Sequence, residues 1–131
     1  MLLLLVCALV ISAALAGPSL AETRDYNVTF ENKTGDATCN DFQILLRYMQ
    51  ENGIATFNGH AQKKESVLPG GQITVTYTAN TRCTNLVADV QCTTVNGEDR
   101  GGVISGPNCD DFTVIIEKTQ YGLRLQNANA Q

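Results

Sequence analysis

Apolar and polar residues alternate with a period of two through Tyr26-Asn27-Val28-Thr29-Phe30-Glu31, which places Tyr26, Val28 and Phe30 on one face of a β-strand. Asn32-Lys33-Thr34-Gly35-Asp36 follows as a turn. Further along, Pro69-Gly70-Gly71 forms a second turn, and Gln72-Ile73-Thr74-Val75-Thr76-Tyr77-Thr78 carries the β-branched and aromatic content of a strand. Leu86 to Val95 predicts another strand, closed by Asn96-Gly97, and the glycine-rich, charged stretch Gly97 to Gly106 is expected to be a surface loop.

Asp41 to Gln50 fits two periods. Phe42, Leu45, Leu46 and Met49 make a helical stripe with Asn40 or Asp41 as cap and Asn52-Gly53 as stop, which would give an α+β fold with a helix at 41–51. An internal repeat favours the strand. Cys39-Asn40-Asp41-Phe42-Gln43-Ile44-Leu45-Leu46 matches Cys109-Asp110-Asp111-Phe112-Thr113-Val114-Ile115-Ile116 in residue character. The second copy, with Thr113-Val114-Ile115-Ile116, is a poor helix and a good strand. Each copy then predicts a strand, a glycine-bearing turn and a returning strand. Two such hairpins plus the remaining strands specify an all-β, disulfide-bonded antiparallel sandwich, Ig-like in general architecture.

The N-terminus changes the compartment. Leu2 to Ala16 holds no charge, Gly17-Pro18 break any helix, and Ser19-Leu20-Ala21 is a small-x-small site, so residues 1–21 are expected to be a signal peptide cleaved after Ala21, or alternatively after Ala16. The apolar run is shorter than the roughly 20 residues a bilayer-spanning helix needs, which argues against a permanent membrane anchor. The expected product is one secreted or periplasmic domain, residues 22–131.

All 9 basic and 13 acidic residues follow Ala21, so the net charge of -4 belongs to the mature chain and disfavours nucleic acid as a partner. Its four cysteines, Cys39, Cys83, Cys92 and Cys109, are expected to form two disulfides, since zinc sites bring cysteines in close pairs. The repeat suggests either Cys39 with Cys109 and Cys83 with Cys92, or crossed partners in which each cysteine of the repeat pins its hairpin to the central strands; three connectivities stay open. No cofactor is expected.

Candidate chemistry is sparse. His60 stands alone, without a nucleophile motif, and the acidic pairs Glu98-Asp99 and Asp110-Asp111 lack calcium-loop spacing. Asn27-Val28-Thr29 and Asn32-Lys33-Thr34 are sequons, with Asn27 outward on a strand and Asn32 in a turn. The leading expectation is a non-enzymatic module that binds an extracellular protein or glycan through loops of the sandwich. The loops singled out are 58–65, with Asn58, Gly59 and His60, and 97–106, with Glu98, Asp99 and Arg100. The alternatives are a small hydrolase pairing His60 with Asp110 or Asp111, and a disulfide-stapled inhibitor or toxin.

Overall fold

The computed structural model describes residues 23–49, 52–53, 55–79, 83, 85–95, 97–100, 104–106 and 109–129; the expected signal peptide and its cleavage sites lie outside them. Among the described residues nine strands follow one another: β1 (Arg24–Asn32), β2 (Thr38–Met49), β3 (Ala55–Lys63), β4 (Gln72–Ala79), β5 (Asn85–Thr94), β6 (Gly97–Arg100), β7 (Ile104–Gly106), β8 (Phe112–Thr119) and β9 (Gly122–Asn127). They form a sandwich of two sheets. One has the order β4-β1-β8-β9; the other runs β3-β2-β5-β6, with β7 continuing the β6 edge of β5. Every neighbouring pair is antiparallel except β1 and β8, which run parallel.

Alternation builds the core. Tyr26, Val28 and Phe30 of β1, Val114 and Ile116 of β8, and Val75 of β4 face Phe42, Ile44 and Leu46 of β2 and Leu86, Ala88 and Val90 of β5. Fully burying side chains of this size contributes about 1.5–3 kcal/mol each. Phe30 and Phe42 meet across the layers, ring centroids 5.2 Å apart and tilted by 57°, a favoured aromatic geometry that pins sheet to sheet.

Among the described residues of the segment 41–51 there is no helix: β2 continues to Met49, because Ile44 and Leu46 alternate with Gln43 and Leu45 into a two-layer core. The two copies of the repeat become hairpins in opposite sheets, β2–β3 and β8–β9. Two expected loops are strands. Residues 58–63 belong to β3, where Gly59 and Ala61 turn inward and His60 and Gln62 stay exposed; small inward residues leave no apolar signal to read. Residues 97–100 and 104–106 are β6 and β7, short segments along one edge.

The disulfides are Cys39–Cys92 and Cys83–Cys109, the crossed arrangement. Cys39–Cys92 joins directly opposed residues of β2 and β5 within the core. Cys83–Cys109 ties the approach to β5 in one sheet to the approach to β8 in the other.

Candidate binding end of the sandwich

β1 and β8 run toward the same end of the sandwich, here the upper end, where β2, β4, β6 and β9 begin and β5 also finishes. The connections gathered there are 33–37, 64–71, the β5–β6 turn and the β8–β9 turn. Asn32 organises this end. It is fully buried, its Nδ2 donating to the Ala37 and Val67 carbonyls at 2.8 and 2.9 Å, while its Oδ1 accepts from the Thr34 backbone N–H and hydroxyl. Its backbone also pairs with Gly70 and Gly71, so one residue locks two connections together. The expectation of a turn asparagine is corrected accordingly: Asn32 is the last residue of β1 and buried, with both Nδ2 hydrogens engaged.

Three large apolar side chains stand exposed in the described chain, Leu68 at 66%, Val95 at 88% and Tyr121 at 91%. All three are at this end, each on a different connection. Three shallow cavities also open here, of about 230 Å³ beside Lys33 and Gly70, 320 Å³ beneath Leu68, and 400 Å³ between Asp99 and Tyr121. Sequence reasoning passed over these residues. Their signal was a large apolar side chain directly beside turn residues, in Leu68-Pro69-Gly70, Val95-Asn96-Gly97 and Tyr121-Gly122.

The residues singled out from sequence are not brought together. Asn58, Gly59 and His60 lie on β3, and Glu98, Asp99 and Arg100 on β6, at opposite edges of one sheet. Arg100 is engaged on the outer face, donating from Nε and Nη2 to Asp89 Oδ2 at 3.0 and 2.9 Å. His60 opposes Leu45 on that same outer face, whereas Asp111 accepts from the Asn27 backbone N–H and Nδ2 on the outer face of the other sheet. Asp110 faces Arg24 at 3.7 Å. The hydrolase constellation is therefore split across the thickness of the sandwich. Asp111 instead completes the hydrogen bonding of β1 just before β8 starts, the turn-capping role that short acidic side chains perform. Asn27 is outward, as expected, with its amide donating to Asp111 and its Oδ1 accepting from Thr76 at 2.7 Å. Among the described residues, no three His, Cys, Asp or Glu side chains gather as a metal site.

No protein-family model matches the chain, and no curated protein matches it in sequence. Solved structures match in fold. Listeriolysin O superposes with a TM-score of 0.50 at 11% identity, over 82% of this chain and 23% of that one. A disulfide-locked mutant of intermedilysin, solved with human CD59, gives 0.50 at 10% identity, over 82% of this chain and 25% of that one. The membrane-binding domain of pneumolysin is matched over 82% of this chain and 99% of that one, at 11% identity and a TM-score of 0.47. At such identities the likeness is one of fold, and the chain spans about a quarter of the length of listeriolysin O and intermedilysin.

Proposed function

We propose that the mature chain is an exported, non-enzymatic binding module that attaches to an extracellular partner through the upper end of its sandwich. The observation that carries this reading is the convergence of Leu68, Val95 and Tyr121, the large exposed apolar side chains among the described residues, on one end. Scattered singly, such residues need no explanation; gathered on three separate connections and interleaved with cavities, they form the apolar anchors and polar surround of a contact surface. Export is supported by the two disulfides and by the apolar segment and small-residue site before Glu22.

The test uses the disulfide-bonded chain from Glu22 to Gln131, labelled and offered to chitin, cellulose, mannan and phosphatidylcholine vesicles. Replacing Leu68, Val95 and Tyr121 together by Ser is expected to weaken attachment at least tenfold, with thermal unfolding nearly unchanged because all three are exposed. His60→Ala, at the sheet edge, is expected to leave attachment intact. Attachment that survives the triple change, or a native domain that attaches to none of these surfaces, overturns the reading.

A further inference from the structure

β6 alternates as a strand should, with Glu98 and Arg100 exposed and Asp99 on the inward side, opposite the buried Cys92. An inward position of a sandwich strand calls for an apolar side chain, and here it holds a carboxylate. That carboxylate faces the β8–β9 hairpin. Asp99, Lys118, Thr119, Gln120, Tyr121 and Gly122 enclose the shallow cavity of about 400 Å³, within the size range of small-ligand sites.

Some of these groups are already committed. Lys118 Nζ donates to Asp36 Oδ2 at 2.9 Å. The Thr119 hydroxyl donates to the Gly122 carbonyl and accepts from the Tyr121 N–H, holding the turn. Gly122, at φ 120°, takes a conformation open to glycine and strained for other residues. The side chains of Asp99 and Gln120 make no hydrogen bond or ion pair among the described residues, although the Asp99 backbone pairs with Cys92 in the ladder. The rigid turn therefore presents an aromatic ring in solvent beside a free carboxylate and a free carboxamide.

That combination selects a ligand class. An anion meets the repulsion of Asp99, and an apolar molecule would bury Asp99 without a partner at a cost of several kcal/mol. A pyranose has a face of C–H groups to lie on the tyrosine ring. Its adjacent hydroxyls can donate to the carboxylate in pairs and exchange hydrogen bonds with the amide. We propose that this cavity is a subsite for a neutral pyranose, with Tyr121 as the stacking platform and Asp99 and Gln120 as the hydroxyl-reading groups. The proposal rests on the reading that the upper end is the binding end, and it names one partner chemistry for it.

The experiment is amide NMR of the disulfide-bonded chain from Glu22 to Gln131, titrated with the methyl glycosides of glucose, galactose, mannose and N-acetylglucosamine. Saturable shifts of the Gln120, Tyr121 and Gly122 amides are expected with at least one sugar, with Kd on the order of millimolar. Tyr121→Ala should abolish them and Tyr121→Trp preserve them. Asp99→Asn should weaken binding about tenfold, the loss expected for one charge-assisted hydrogen bond. The absence of saturable shifts with all four sugars, or shifts indifferent to Tyr121→Ala, overturns the proposal. If Asp99 serves only to keep the β6 edge from pairing with another chain, Asp99→Asn yields a dimer by size exclusion with sugar affinity unchanged, which removes Asp99 from the subsite. Leu68→Ser with Val95→Ser separates the two readings. Sugar shifts without attachment to any surface leave the subsite and remove the broader reading, whereas attachment lost in this variant with no sugar shifts in the native chain does the reverse.

Discussion

Asn32 carries more of the upper end than any apolar residue near it. Its side chain satisfies two carbonyls and two donors inside the protein, at a position with no exposure. Replacing it by Ala removes four hydrogen bonds at once, each contributing about 0.5–1.5 kcal/mol net; the Ala37 and Val67 carbonyls keep the Thr34 hydroxyl and the Cys39 N–H as donors, while the Thr34 N–H loses its acceptor. Asn32→Ala is therefore expected to destabilise the fold by about 2–4 kcal/mol and lower the Tm by roughly 10 °C or more. Thermal unfolding followed by circular dichroism checks this, and a Tm within about 2 °C of the native value would refute the hub role. The sequence hid this residue for a chemical reason. The Asn-x-Thr spacing of a sequon is also the spacing at which Thr34 reaches back to the Asn32 carboxamide, so a glycan acceptor and a closed polar turn are written with the same letters. Peptide mapping of protein secreted from a glycosylating host is expected to find Asn32 bare in the folded fraction.

Strands were legible where their inward residues are large. β1, β4 and β5 announce themselves through Val28 and Phe30, Ile73 and Val75, and Leu86 and Val90, while β2 needed its likeness to β8 to be separated from a helix. The second half of β3, from residue 58, and β6 read as loops because they turn Gly59, Ala61 and Asp99 inward, and residues that bury so little side chain leave no period of two. The smallness of Gly59 has a use: Tyr77 of β4 lies over it, and Lys63 Nζ donates to the Thr74 carbonyl at 2.8 Å, so β3 covers the open edge of the facing sheet. A methyl group at Gly59 would overlap the Tyr77 hydroxyl and come within 2.7 Å of its ring carbon. Gly59→Ala is expected to cost about 1–3 kcal/mol, the usual range for overpacking, and much less when Tyr77→Val has already cleared the space. A double-mutant cycle in urea measures the difference; an equal cost in both backgrounds would mean that the contact is not the cause.

At the scale of the molecule the two ends are built for different work. The lower end is clamped: Cys83–Cys109 joins the sheets, and Arg24 lies over the Tyr26 ring, donates to the Cys109 carbonyl at 3.3 Å and faces Asp110. The upper end is held from within, by Asn32 and by Cys39–Cys92, which leaves its turns free to display Leu68, Val95 and Tyr121. Stability and attachment should then separate. The Cys83–Cys109 bridge spans a sequence separation of 26, for which loop-closure entropy gives a contribution of about 3–4 kcal/mol. Replacing both cysteines by Ser is expected to remove that much from the unfolding free energy in urea. At low temperature, where the variant stays folded, attachment through the upper end should be within twofold of the native chain. Non-reducing peptide mapping of the native protein supplies the control, a Cys39–Cys92 peptide pair beside a Cys83–Cys109 pair. If the folded double-Ser variant attaches ten times more weakly, the lower end takes part in the contact, and the division of labour argued from the exposed apolar turns would have to be abandoned.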